Sequence, residues 1–273
     1  MKNVSLYNHF IVLIMVCISL SSCEDVIQAD LDTGEAKLLV DAEILWQKGT
    51  DGAVQTIKIS RMTAYYNPET PKVSGALVNI SNSSGTQFAF EETAPGIYTC
   101  TSFVPALNET YTLHVAADGQ VYTATETLMP VAEIDHTDQI SNGGFSGDET
   151  EVSIYFNDPA NITNYYLSSF ITPVLPYTEY DLNGDELSDG NAIKSDFSHE
   201  DLKPGDALQI TVRGISYQFY NYMNLILSAA DSDPFSTPPA NIKGNILNQD
   251  NNGSPALGYF RLCETDYIEY VVE

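Results

Sequence analysis

Between Asp181 and Asp189 the chain reads Asp-Leu-Asn-Gly-Asp-Glu-Leu-Ser-Asp, which places side-chain oxygens at Asp181, Asn183, Asp185 and Asp189. Hard cations such as Ca²⁺ take oxygen ligands from alternate positions of a loop, and these four match the first, third, fifth and ninth. The sixth position is Glu186, where the sharp turn needs glycine, and the twelfth is Ala192, where a bidentate glutamate belongs. A solvated acidic loop therefore accounts for the stretch better than a closed metal site, and no cofactor is expected. Nucleophilic chemistry has less support. His114 falls in a strand-like segment, and His136 and His199 in polar ones, so no base stands beside a nucleophile. The sequence holds no Gly-x-Ser-x-Gly, His-Glu-x-x-His or Walker-type loop. Acidic pairs such as Glu91-Glu92 and Asp185-Glu186 would serve glycoside hydrolysis only if the fold set two carboxylates about 5–10 Å apart across a cleft. Among thirty-seven acidic residues such pairs carry little weight, and a non-enzymatic protein is expected. Tyrosines are the stronger signal, because their rings stack on ligands while their hydroxyls hydrogen-bond. Tyr65 and Tyr66, which open a loop, lead the candidates, followed by Tyr165, Tyr166, Tyr177, Tyr180, Tyr217 and Tyr220; most tyrosines at alternate strand positions serve ordinary sheet packing.

The residue with the clearest covalent role is Cys23. Lys2 and a polar lead precede an apolar run of eleven residues, Phe10 to Leu20, and then Ser21-Ser22-Cys23. A charged lead, a short apolar core and small residues before the cut mark an export signal. A spanning helix needs about twenty apolar residues, so the run is too short for an uncleaved anchor. Leu20-Ser-Ser-Cys23 resembles the lipobox of bacterial lipoproteins, which implies cleavage after residue 22 and acylation of Cys23. Each buried lipid CH₂ contributes about 0.8 kcal/mol, so several acyl chains on one cysteine hold a protein to a membrane without a spanning segment. Glu24 and Asp25 resemble the acidic signal that directs lipoproteins of the Bacteroidetes to the outer face of the outer membrane. Residues 23–35 then read as an acidic tether.

Of the eleven Lys and Arg residues only Lys2 lies in the leader, so the mature chain sets ten basic residues against thirty-seven acidic ones, a net charge of −27. Phosphate binding needs a basic footprint, which this chain lacks, so nucleic acid is excluded as a partner. An acidic body is also repelled by anionic head groups, which leaves membrane attachment to the lipid. Cys17 leaves with the signal and Cys23 takes lipid. Cys100 and Cys263 remain, far apart in sequence, and read as small buried apolar residues rather than a disulfide.

Seventeen Tyr, eleven Phe and recurrent Thr, Val and Ile give strand composition. Residues 36–130 alternate over seven short segments with turns every eight to twelve residues, which predicts an immunoglobulin-like β-sandwich. Asp118-Gly119 is its strongest hairpin signal. A Gly-, Ser- and Asp-rich stretch over 131–150 reads as a linker. A second β-rich domain is expected over 151–273, with residues 177–206 mostly loop. It carries one amphipathic helix near 215–230, where Ile215, Phe219, Tyr222, Met223, Ile226, Leu227 and Ala230 recur at three- and four-residue spacing. Ser216 is placed to cap that helix, and Asp231 to Pro234 to stop it. The fold class is therefore mainly β, an N-terminal sandwich followed by a second β region with one helix.

Asp233-Pro-Phe-Ser-Thr-Pro-Pro-Ala-Asn-Ile-Lys-Gly-Asn-Ile246 and Ala256-Leu-Gly-Tyr-Phe260 resemble the C-terminal signature of a lipoprotein family of the Bacteroidetes known as domain of unknown function 4249. Cys23-Glu-Asp-Val-Ile27, Pro71 to Ile80, Pro95-Gly-Ile-Tyr98 and the tyrosine-rich helix agree with it. The resemblance covers essentially the whole mature chain and supplies no catalytic residues. It implies an accessory or binding component beside an outer-membrane TonB-dependent receptor in nutrient uptake. A structural or assembly component of the envelope is the alternative reading, and a surface hydrolase a third.

Overall fold

The computed structural model describes residues 37–63, 70–186, 188–230, 242–250 and 253–273. Cys23, Glu24, Asp25, Tyr65 and Tyr66 lie outside the described residues. The first seven strands are β1 (Leu38–Gln47), β2 (Gln55–Arg61), β3 (Leu77–Asn82), β4 (Gln87–Ala94), β5 (Ile97–Cys100), β6 (Thr110–Ala117) and β7 (Gln120–Thr127). Alternation is strict in β1, where Leu38, Val40, Ala42 and Ile44 are all buried and the residues between them are not. A strand's side chains alternate between faces, so one face of β1 builds the core. Asp118 and Gly119 sit at φ 55° and 76° between Ala117 and Gln120, the two-residue turn that matches strand twist.

Closure of this first sandwich runs through β4. Its first half pairs with β3 (Val78 with Phe90), its second half with β5 (Glu91 with Thr99), with a bulge between Glu92 and Ala94. The bulged strand turns the corner between two sheets, β1-β2-β5 and β3-β6-β7. Between them Phe88, Phe103 and Tyr111 form an aromatic cluster with centroids 4.8–6.5 Å apart. The buried Tyr111 hydroxyl is satisfied by backbone, donating to Val104 O and accepting from Ala106 N–H.

The remaining strands are β8 (Ile134–Gly143), β9 (Glu149–Asn157), β10 (Tyr165–Ile171), β11 (Glu179–Gly184), β12 (Ala192–His199), β13 (Ala207–Ile215), β14 (Leu247–Asn248) and β15 (Leu257–Val271). The described residues include one helix, α1 (Tyr217–Ala230). A three-stranded sheet β12-β9-β8 packs across β11-β10-β13-β15 around Val152, Ile154, Phe156, Phe170 and Ile210. Two expectations are corrected here. Residues 134–143, read as part of a linker, form an edge strand whose largely polar, exposed side chains hid it. Residues 177–206, read as mostly loop, contain both β11 and β12, because solvent-facing strand positions carry the polar residues that resemble a loop.

One strand joins the two sandwiches. The fifteen-residue β15 pairs in parallel with β1 from Leu257 to Thr265, then antiparallel with β13 from Thr265 to Val271. Phe260 and Leu262 fill the first core and Ile268 and Tyr270 border the second. The region 151–273 is therefore not a domain apart. Ile246 and Ala256 return to the first core and β14 pairs with β7, so Ala36–Glu273 forms one compact unit. At the join Glu264, buried, accepts from Val131 N–H at 2.9 Å and pairs with Lys48 at 3.3 Å, while Asp266 accepts from Ile134 N–H at 2.8 Å.

Helix α1 starts where expected. Ser216 Oγ accepts from Phe219 N–H at 3.2 Å, an N-cap. Phe219 is its one buried residue, packing on Tyr259, Cys263, Leu167 and Ile215 on the sheet face turned away from the cores. Beneath it lies an ion cluster. Glu43 on β1 accepts from Arg261 on β15 at 3.1 Å and lies 3.3 Å from Arg213 Nε on β13. Arg261 also meets Asp41 at 3.3 Å and sits 5.3 Å from the Phe219 ring centre. No helix among the described residues is long and apolar enough to cross a membrane.

Candidate functional site

The tertiary structure separates the four oxygen donors of the Asp181–Asp189 stretch. Asp181 and Asn183 belong to strand β11 rather than to a loop. Alternate residues share a face in a strand as they share a ligand in a calcium loop, so the same spacing has a second physical origin. Asp181 Oδ2 accepts from Asn183 Nδ2 at 2.8 Å and from Ser195 Oγ at 2.6 Å. Asp185 and Asp189 instead meet Asp158, which sequence reasoning did not single out, with one oxygen of each within 4.8 Å of the others. Asp158 and Asp185 are buried and Asp189 is exposed. Three carboxylates suit a hard cation chemically. Their oxygens already have work: Asp158 Oδ1 accepts from the Tyr166 hydroxyl at 2.6 Å and Asn164 Nδ2 at 3.3 Å, and its Oδ2 from Gly190 N–H at 3.2 Å. Asp185 accepts from Asn164 N–H at 2.8 Å and Asp189 from Asn161 N–H at 2.7 Å. The cluster thus ties the end of β9 to the β11–β12 turn. Burial and the neighbouring Asp158 push the Tyr166 hydroxyl well above its ordinary range.

The histidines stay apart. His136 bonds the exposed Asp135 and stacks on Tyr155 at 4.6 Å, while His199 accepts from Asp201 N–H and lies against Phe197. Cys100 and Cys263 are both buried and free, and burial pushes the Cys263 thiol up to about 12. Tyr165 packs between Tyr217 and Tyr220 of α1, an aromatic contact of helix on sheet.

Described residues line two open clefts. One, of about 430 Å³, lies beside the exposed Tyr177 and Tyr180, with Phe197, His199 and the carboxylates Glu179, Asp181 and Asp196 around it. The other, of about 540 Å³, opens between α1 and β7 at the seam of the two sandwiches. Its centre is Glu126 on β7. Glu126 Oε1 accepts from Thr127 N–H at 3.0 Å, and Oε2 accepts from the Ser216 hydroxyl at 3.0 Å and the Tyr259 hydroxyl at 3.4 Å. Ser216 therefore caps α1 and fixes the carboxylate with one oxygen. Burial raises the Glu126 carboxyl above its usual range against the lowering effect of those three donors. Tyr222 lines the wall, half-buried, with Tyr259 behind it at 4.8 Å and Phe219 behind that at 4.9 Å.

The far wall is the segment 243–245. Asn245 pins it to β15 by bonding both ways with Phe260, Nδ2 to O and N–H to Oδ1, each at 2.8 Å. Gly244 is required by contact, because a Cβ there would stand 1.7 Å from Gly258 O, and one on Gly258 would stand 2.1 Å from Val40 O. Lys243, Gly244, Asn245 and Tyr259, all within the tail stretches that stood out in the sequence, meet at this cleft. Glu126 carried no signal of its own in an alternating strand.

A family model described as a domain of unknown function, DUF4249, matches residues 24–268. This chain belongs to the DUF4249 family. No curated protein matches it significantly. Among solved structures, the DUF4249 chain is similar to a two-domain fibronectin type-III segment of chicken tenascin, at 11% identity and a TM-score of 0.22, covering 58% of this chain and 83% of that one. The chicken CNTN1 FN1-FN3 domains align at 12% identity and a TM-score of 0.26, covering 64% and 57%. A DUF4785 family protein from Legionella pneumophila aligns at 10% and 0.27, covering 67% and 54%. The DUF4249 chain is mainly β, with fifteen strands and one helix among the described residues.

Proposed function

We propose that this protein is a lipid-anchored component of the outer cell surface, without enzymatic activity, serving as an accessory or binding partner of a TonB-dependent nutrient-uptake receptor. The observation that carries the reading is the run Leu20-Ser-Ser-Cys23-Glu-Asp25 behind an eleven-residue apolar core. The family match begins at residue 24, directly after the cysteine to be acylated, which supports the same processing point. The receptor partner rests on what the family resemblance implies. A body of net charge −27 requires its membrane hold to come from lipid. The seam cleft, with its tyrosine wall and fixed carboxylate, supports binding rather than scaffolding as the task of the folded body.

The test is made on intact cells. Cys23→Ala should abolish incorporation of labelled fatty acid, and protease added outside should degrade the wild-type protein. Full protection of the wild type would overturn the outward placement. Affinity purification from solubilised membranes should recover a TonB-dependent receptor; recovery of none under any nutrient condition would overturn the partnership.

A further inference from the structure

The cleft between α1 and β7 is lined largely by polar side chains. The side chains of Gln218, Asn221 and Lys243, which line it, make no hydrogen bond or ion pair with any described residue. Opposite them stands Glu126, whose two oxygens are fixed by Thr127, Ser216 and Tyr259. Two primary amides each offer donors and an acceptor, Lys243 offers donors only, and the carboxylate offers acceptors. Ligand pockets of small molecules run from about 300 to 1,000 Å³, and 540 Å³ falls within that range.

We propose that this cleft binds a neutral saccharide, packed against Tyr222 and hydrogen-bonded by Gln218, Asn221, Lys243 and Glu126. A saccharide ring presents hydroxyls that donate and accept at once, together with an apolar C–H face. Amides and a carboxylate match the hydroxyls, and a tyrosine ring matches the face. Other ligand classes fit less well. An anion would meet one lysine beside a carboxylate on a strongly acidic protein. An apolar ligand would find Leu225 as the lone aliphatic side chain of the lining. A metal cation would find a single carboxylate already accepting three hydrogen bonds. The Tyr222–Tyr259–Phe219 stack and the Ser216 bond fix the wall and the acceptor before a ligand arrives, which limits the ordering cost of binding.

This inference rests on the reading of the protein as a binding component and names the ligand class. The full-length chain, purified in a detergent without a sugar headgroup, is applied to an array of neutral oligosaccharides with gluco-, manno-, galacto-, xylo- and fuco-configured ends, alongside acidic glycans and peptides. At least one neutral class should be retained. Asn221→Ala and Gln218→Ala, on a helix that tolerates alanine, should each weaken that retention about five- to ten-fold with an unchanged circular dichroism spectrum. Retention of no neutral glycan, retention of peptides or acidic glycans alone, or equal retention by both variants would overturn the assignment. The array reads a purified protein while the protease and receptor experiments read cells, so either reading can fail without the other.

Discussion

The ion cluster under α1 supplies the sharpest energetic prediction. Glu43, Arg261 and Arg213 come from β1, β15 and β13, three neighbouring strands that carry both sandwiches. Glu43→Ala leaves two guanidiniums whose side chains are only 12% and 18% exposed. Removing one partner of a buried pair costs about 3–5 kcal/mol. The Glu43 side chain keeps 26% of its exposure, and Arg261 retains Asp41 at 3.3 Å, so the expected loss falls to about 2–3 kcal/mol. At about 2–4 °C per kcal/mol for a chain of this size, that is roughly 5–10 °C in Tm. Burial by itself would raise the Glu43 carboxyl, but the coulombic pull and hydrogen bonds of Arg261 and Arg213 outweigh it and hold the group below its ordinary value. A depressed carboxyl stabilises the fold above the unfolded value, near 4.3, and that contribution is lost as pH falls through the lower folded value. Glu43→Gln should therefore be weaker than wild type at pH 7, with the gap narrowing as pH falls below the unfolded value. Urea unfolding followed by the single Trp46, which packs against the first core, measures both. A gap below about 1 kcal/mol at pH 7, or one that is equal at pH 3 and pH 7, would refute the account.

Three further outcomes follow from the packing. Gly258→Ala, which needs a methyl 2.1 Å from Val40 O at φ +93°, should cost more than about 3 kcal/mol, whereas Gly119→Ala, with open space and only the φ penalty, should cost about 1–2 kcal/mol; thermal unfolding of both separates contact from conformation. Tyr166→Phe removes the donor to buried Asp158 and should cost about 1–3 kcal/mol with little change in far-ultraviolet dichroism, and a loss under 0.5 kcal/mol by chemical denaturation would count against a structural role for that hydroxyl. Cys100 and Cys263 should resist alkylation at pH 8 in the folded protein and react once it is unfolded, as read by mass spectrometry; a disulfide-linked peptide spanning both would contradict the buried free thiols.

The sequence alone determined whatever depends on local period and local turn chemistry. The alternation of β1, the Asp118-Gly119 hairpin, the seven strands of the first sandwich and the helix with its Ser216 cap were all legible, because each is decided within a few residues. Polar edge strands were not legible: β8, β11 and β12 carry solvent-facing residues that read as linker and loop until pairing with β9 and β10 defines them. Only the tertiary structure decided which distant residues meet. It dissolved the apparent calcium spacing by making Asp181 and Asn183 strand neighbours, and brought Asp158 to Asp185 and Asp189. It folded the tail back through Gly244, Asn245 and β15, so that Lys243 lines the same cleft as Glu126 and the Tyr259 hydroxyl bonds that carboxylate. Sequence spacing fixes neighbours along a strand or helix, but which strand lies beside which is set by burying both faces of β15 at once. That is a property of the whole chain rather than of any segment.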